Sequence, residues 1–323
     1  MELNITRPQL AFVIGLTIVT IILLVYYFNQ FFIDQGKEQV PIEPQRVVTP
    51  EGQDPFGVDE IYPTKENGRE WFVNMQNPVE DESFEISSDV PILRSAVDNE
   101  AWLINDSQIR MNIITPEGEQ PWRDIEMTGY FKIRSIYDSD APIQNEENGN
   151  GNGNGGSEGE SDTLAPDLTL RARGGEHSNE NPCEGTALNG SIDILKREAF
   201  WKKEIWHTGG YTDSKGSASA TDSPLLGRWI GWKVIMYNIN NDTGVKMESF
   251  IDDNNTNQWR KVNEVIDEGG WFANGSDEEF NSANCGKSKD YVITNSGPIA
   301  TFRSDNVAFD FKDLSIREIN ASA

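Results

Sequence analysis

Along most of this chain apolar and polar side chains alternate with a period of two, and after the first 33 residues no stretch sustains the 3.6-residue apolar stripe of an amphipathic helix. In "DIEMTGYFKIR", Ile125, Met127, Gly129, Phe131 and Ile133 share one side, and Glu126, Thr128, Tyr130, Lys132 and Arg134 share the other. "QIRMNII" groups Ile109, Met111 and Ile113, and "LTLRARG" sets Leu168, Leu170 and Ala172 against Thr169, Arg171 and Arg173. "RWIGWKVIMYN" sorts Ile230, Trp232, Val234 and Met236 from Trp229, Lys233 and Tyr237, and "NVAFDF" puts Val307, Phe309 and Phe311 on one face. Gly, Asn, Asp and Pro turns separate these runs. The pattern predicts an all-β chain folded as an antiparallel β-sandwich.

The first residues obey a different rule. Leu10 to Phe28 carry no charge, and as a helix they would span about 28 Å, close to the hydrocarbon thickness of a bilayer. Residues 10–33 therefore read as a transmembrane signal anchor behind a short cytoplasmic tail, 1–9; a cleaved signal peptide is the rival reading. The few basic residues near its ends place the amino terminus inside and the rest outside the cell membrane. Residues 34–68, with prolines at 41, 44, 50, 55 and 63, predict an extended extracellular stalk. The sandwich is expected over 69–320, with the Gly/Asn-rich tract 144–162 as a disordered inserted loop.

The net charge of −26 argues against nucleic acid as a partner, because phosphate binding needs clustered Lys and Arg. Cys183 and Cys285 are the only cysteines; a disulfide in an oxidising compartment leads, and two buried thiols are the alternative. Asn-X-Ser/Thr acceptors begin at Asn105, Asn189, Asn241, Asn254, Asn274 and Asn320, which suits a glycosylated exterior. "FIDDNNTN" places Asp252, Asp253, Asn254 and Asn255 together, but it lacks the spacing of a calcium loop and reads as a hairpin turn. No cofactor and no metal ligand set is expected, and a structural calcium ion elsewhere has no assignable position.

"GRWIGWKVIMYNI", "VKMESFIDDNN" and "GPIATFRSDNVAFDFKDLSIREI" resemble uncharacterised archaeal cell-surface proteins whose outer domain is similar to a concanavalin A-like lectin/glucanase jelly roll. The resemblance implies two curved antiparallel sheets with saccharide along one concave face. It covers sugar-binding modules, glycoside hydrolases and alginate-lyase-like enzymes. The Glu-x-Asp-x-x-Glu strand of the hydrolases is absent, and the lyase strands are represented only by residue type, in "RARGGEH" and "EIWHTGGY".

Polyuronate elimination requires a cation for the uronate carboxylate, a base for the C5 proton and an acid for the leaving oxygen. Arg173, His177, His207 and Tyr211 are the catalytic candidates on that chemistry. Arg171, Lys203, Trp229, Lys233 and Tyr237 are the ligand-binding candidates, the rings as stacking surfaces for sugars. Plainer readings stand beside these: His177 as a turn residue, His207 as a hydrogen-bonded strand end, and the arginines as a solvated face. Three functions follow in order of preference. The first is a membrane-anchored carbohydrate-binding module, the second a polyuronate lyase, and the third a structural protein pairing with other cell-envelope proteins.

Overall fold

The computed structural model describes residues 52–86, 90–137, 165–176, 180–205, 211–271, 285–287 and 290–321. The apolar segment 10–33, the tract 144–162, His177 and His207 lie outside them. All described residues belong to one unit, Arg46–Ala323, and among them no helix is long and apolar enough to cross a membrane.

Fifteen strands carry the fold. They are β1 (Glu70–Phe72), β2 (Phe84–Ile86), β3 (Leu93–Arg94), β4 (Trp102–Ile104), β5 (Gln108–Ile114), β6 (Ile125–Ile136), β7 (Asp167–Gly174) and β8 (Ala187–Asp193), followed by β9 (Glu198–Glu204), β10 (Lys215–Ser219), β11 (Trp229–Ile239), β12 (Gly244–Asp252), β13 (Arg260–Asp267), β14 (Ile299–Asp305) and β15 (Val307–Glu318). An eight-stranded sheet runs β13-β12-β11-β6-β15-β4-β3, with β1 added on β15, and a seven-stranded sheet runs β10-β9-β8-β7-β14-β5-β2. Their strands pair antiparallel throughout. Strands from before and after residues 138–164 interleave in the eight-stranded sheet and pair through β14 and β5 in the seven-stranded one, so the two halves of the chain build one jelly-roll sandwich.

The period-two pattern is what the core uses. Ile125, Met127, Phe131 and Ile133 of β6 and Ile230, Trp232, Val234 and Met236 of β11 point inward. They meet Ile109, Met111 and Ile113 of β5, Leu168, Leu170 and Ala172 of β7, and Ala300 and Phe302 of β14. Phe131 and Phe302, one from each sheet, bring their ring centroids to 6.5 Å. Burying such side chains contributes about 1.5–3 kcal/mol each, which is what holds the two layers face to face.

The outer face of the eight-stranded sheet is also covered, and this corrects the extended stalk expected over 34–68 for its described part, 52–68; residues 34–51 lie outside the described residues. Residues 52–64 lie across it as a strap, with Val58 and Ile61 buried against Tyr130, Ile235, Tyr237, Phe250 and Trp259. Asp54 fixes the strap's turn by accepting the N–H groups of Phe56 and Val58, each at 2.9 Å. Beneath it Glu126, fully buried, accepts from Lys233 Nζ at 2.8 Å, from Arg317 at 3.0 Å and from the N–H of Ile61 at 3.1 Å. Burial works against that carboxylate's charge, but Lys233 and Arg317 hold it below the usual range. Arg317 also pairs with Glu60 of the strap at 3.0 Å.

Cys183 and Cys285 are bonded, with Cα atoms 5.3 Å apart and a separation of 102 positions in sequence. Asn189, one of the six expected glycan acceptors, is fully buried in β8, so the folded chain does not offer it for modification.

Two outcomes follow for stability. Replacing both cysteines by serine should lower the unfolding free energy by about 4–5 kcal/mol in denaturant titrations, because the open chain regains the entropy of a long loop. Glu126→Ala should cost about 3–5 kcal/mol in the same measurement, since Lys233 and Arg317 keep their burial and lose their shared counter-charge; an effect below about 1 kcal/mol would show that the strap network is solvated.

Candidate functional site

With one face of each sheet in the core and the strap on the back, the outer face of the seven-stranded sheet remains. Its side chains are the alternates of the core residues, and strand register arranges them in three rows. The first row is Gln108, Asp305, Asp167, Asp193 and Glu198, taken from β5 across to β9. The second is Arg110, Arg303, Thr169, Ser191 and Phe200, and the third is Asn112, Thr301, Arg171, Asn189 and Lys202. Acids fill the first row, while cations, hydroxyls and amides fill the other two.

Most of these groups satisfy one another. Arg110 Nη2 and Arg303 Nε each donate to Asp305 at 2.8 Å. Arg303 makes a second bond to Asp305, and through Nη1 it donates to the Tyr211 hydroxyl oxygen at 3.2 Å. The hydroxyls of Thr169 and Ser191 lie 2.7 Å apart, and Thr301 Oγ1 donates to Asn112 Oδ1 at 2.9 Å. Arg171 reaches Glu204 at 3.4 Å and the carbonyls of Gly175 and Gly185 at 3.2 and 2.9 Å.

Two neighbours in the third row differ from the rest. Neither the Oδ1 nor the Nδ2 of Asn189 has a hydrogen-bond partner. Lys202, partly exposed beside it, holds its ammonium 5.0 Å from the Tyr211 ring and 5.7 Å from the Phe200 ring, with no salt bridge among the described residues. An unpaired buried amide costs about 1–3 kcal/mol, so the pair forms a point of unmet hydrogen-bonding capacity on an otherwise closed network.

The electrostatics divide the face in two. Burial and the nearby Asp305 push Asp167 up to about 6. Burial also opposes the charge of Asp305, but Arg303 and Arg110 keep its carboxyl below the ordinary range. Lys202 is lowered by burial. Tyr211 is raised by burial and by Glu204, against which Arg303 and Arg171 pull, so its phenol stays protonated at neutral pH.

Of the sequence candidates, Arg171 and Tyr211 lie on this face. Arg173 does not: it takes a left-handed φ of 68°, which turns its guanidinium to Asp124 at 3.0 Å and the Ile293 carbonyl at 2.9 Å. Lys203 points into the sandwich, on Asp267 at 3.0 Å and the Tyr291 carbonyl at 2.7 Å. Trp229, Lys233 and Tyr237 belong to the other sheet, where Lys233 is sealed under the Trp259 ring at 4.5 Å and Tyr237 packs on Tyr62. The described candidates therefore divide: Arg171 and Tyr211 lie on this face, Arg173 and Lys203 turn to buried partners, and Trp229, Lys233 and Tyr237 belong to the other sheet. His177 and His207 lie outside the described residues. Asp252 is occupied as a turn acceptor, taking N–H groups from Thr256 at 3.0 Å and Asn257 at 2.7 Å. Among the described residues no group of three or more His, Cys, Asp or Glu side chains is placed to hold a metal ion.

Sequence reasoning missed Arg110, Asp167, Asn189, Lys202, Arg303 and Asp305. The available signal was parity: in "IATFRSD" the inward Phe302 sends Arg303 and Asp305 to the side opposite Ala300 and Ser304 only as far as one strand is concerned. Joining them to Asp167 and Lys202 requires the order of four strands.

No protein-family model and no curated protein sequence matches this chain. Among solved structures it is similar to a carbohydrate-binding module from Bacillus subtilis, with 9% identity over 79% of this chain and 99% of that one and a TM-score of 0.37. It is similar to a Bacillus subtilis protein with a galectin-like fold, with 9% identity over 80% of this chain and 98% of that one and a TM-score of 0.44. It is also similar to an alginate lyase in complex with alginate tetrasaccharide, with 11% identity over 80% of this chain and 96% of that one and a TM-score of 0.33. At that identity and overlap these neighbours assign no role to any residue of this chain.

The raised Asp167 has a testable sign. Its contribution to stability is fully present below pH 3.8 and is lost as pH rises through about 6. Thermal unfolding of Asp167→Asn and wild type across pH 4 to 7 should therefore show the variant gaining on wild type as pH rises, by on the order of 2 kcal/mol. A difference that stays constant with pH would mean that Asp167 is ionised throughout.

Proposed function

We propose that this chain is a carbohydrate-binding jelly-roll module whose binding surface is the outer face of the seven-stranded sheet. The observation that carries the reading is Lys202, partly exposed and without an ion pair among the described residues, beside the partly exposed rings of Phe200 and Tyr211. Sugars present what such a surface can hold: hydroxyl and carboxylate oxygens that accept from an ammonium, and C–H faces that lie against aromatic rings. The residues of the acidic row hold Arg110 and Arg303 in place and so keep the platform rigid.

The apolar segment 10–33 supports attachment to a bilayer, with residues 34 onward outside the cell. The Cys183–Cys285 bond supports an oxidising compartment. Polysaccharide at the cell surface is then the natural partner, and other cell-envelope proteins come second.

A polyuronate lyase is the second reading, favoured by the Tyr211 hydroxyl on Arg303 within reach of Lys202. The protonated phenol suits the acid that gives its proton to the leaving oxygen as the C4–O bond breaks, and Lys202 suits the uronate carboxylate. Removal of the C5 proton would fall to His177 or His207, both outside the described residues.

Affinity electrophoresis through gels containing neutral or acidic polysaccharides separates these readings. Retardation should weaken by about tenfold in Kd for Lys202→Gln and for Phe200→Ala, and should be unchanged in Trp229→Ala. Retardation by no polysaccharide, or equal retardation in all variants, would overturn the sheet-face reading. Absorbance of an unsaturated product, lost in Tyr211→Phe, would establish the lyase.

A further inference from the structure

A second polar cleft, of about 650 Å³, opens where the loops before β6 and β14 meet the end of the strap, away from the sheet face. Its wall is fixed from below. Trp122 and Gly297 exchange backbone hydrogen bonds at 2.9 Å in both directions, and a Cβ on Gly297 would stand 2.2 Å from the Arg173 carbonyl carbon. On this base the Arg69 guanidinium lies flat over the Trp122 ring, 3.3 Å from its centroid.

Arg69 is positioned but incompletely paired. Its Nη2 donates to Thr115 Oγ1 at 3.0 Å, its Nη1 is 3.5 Å from the half-exposed Glu119, and its Nε is buried with no partner. Two more cations line the same cleft, Lys65 and Arg123. Lys65 makes no ion pair among the described residues. Arg123 is 3.2 Å from Asp124 Oδ2 and 3.6 Å from the exposed Asp242. Of the two acids in the wall, Glu318 accepts the backbone N–H of Arg69 at 2.8 Å. In a chain with 53 acidic and 27 basic residues, a lining that sets Lys65, Arg69 and Arg123 against Glu119 and Glu318 is locally richer in cations than the rest. Gln120 and Ser296 add amide and hydroxyl groups to the lining.

We propose that this cleft binds a single acidic sugar residue, its carboxylate on Arg69, Lys65 and Arg123 and its hydroxyls on Gln120 and Ser296. The cation set asks for an oxyanion, since charge-assisted bonds to a carboxylate are the strong ones. The volume and the amide and hydroxyl lining ask for more than an oxyanion, because a bare carboxylate would leave them to water. The site is independent of the sheet face and does not use Lys202 or Asn189.

Calorimetric titration of the full chain with sodium glucuronate, glucose and sodium acetate tests it. Glucuronate should bind at least about tenfold tighter than glucose or acetate, more weakly as salt is added, and equally well in Lys202→Gln. The double variant Lys65→Gln, Arg123→Gln changes two side chains outside the core and should reduce glucuronate affinity by about tenfold or more, and Arg69→Gln should abolish it. Glucuronate binding no tighter than acetate, binding unchanged in the double variant, or binding lost in Lys202→Gln would each overturn the assignment. Failure at the cleft leaves the polysaccharide test of the sheet face unaffected.

Discussion

A β-sheet has two faces, and packing two sheets together disposes of only one face on each. The remaining pair must be covered or made compatible with water, because backbone geometry sends every second side chain there. This chain treats the two leftovers differently. The eight-stranded sheet carries Tyr130, Ile235, Tyr237, Phe250 and Trp259 outward and is closed by the strap of residues 52–64. The seven-stranded sheet carries Arg, Asp, Thr, Ser, Asn and Lys outward; these side chains bond to one another and are buried along β7 and β8, while Arg110, Asn112, Phe200 and Lys202 stay partly exposed. That difference, more than any single residue, is the ground for the proposed binding surface.

The charges on the two faces show the same division. Glu126 sits under the strap with two cations and backbone N–H groups on its carboxylate, and every contact strengthens its ionised form. Such a carboxylate holds structure together. Asp167 and Asp305 stand opposite each other in register and share their cations unequally: the guanidiniums bond to Asp305, and for Asp167 burial and the neighbouring Asp305 outweigh the longer-range pull of Arg303, Lys202 and Arg110. One fold thus contains a fully compensated acid on the covered side and a less compensated one on the side proposed to meet ligand. A carboxyl held above its ordinary range near a lysine without an ion pair among the described residues is a perturbed group of the kind that bears on function.

The strands themselves were legible because alternation is a local property. Ile109, Met111 and Ile113, or Ile230, Trp232, Val234 and Met236, need no knowledge of their neighbours to be placed in a core. The strap was not legible: Val58 and Ile61 are isolated apolar residues among prolines and acids, and their value lies in the sheet face they dock on. The site was partly legible. Arg171 and Tyr211, chosen by residue type, lie on the proposed face, whereas Lys203, chosen over Lys202, is the inward member of a pair whose parity is set by Trp201. The rows that bring Arg303 and Asp305 beside Asp167 depend on β14 lying between β5 and β7, an order no local pattern reveals.

Arg173 shows how a single backbone torsion can defeat a parity argument. By alternation it belongs beside Arg171 on the outer face. The pairing of β7 with β14 shifts register between Ile299 and Thr301, and at that irregularity Arg173 adopts its positive φ. Its side chain then crosses to the eight-stranded sheet, bonding Asp124 just before β6 and Asn238 in β11. A fully buried guanidinium in that position ties the two layers together at the end of the sandwich and shares Asp124 with Arg123, one cation on each carboxylate oxygen. The residue that sequence chemistry would assign to catalysis therefore acts as a strut, and the acid it holds also fixes Arg123 at the edge of the cleft.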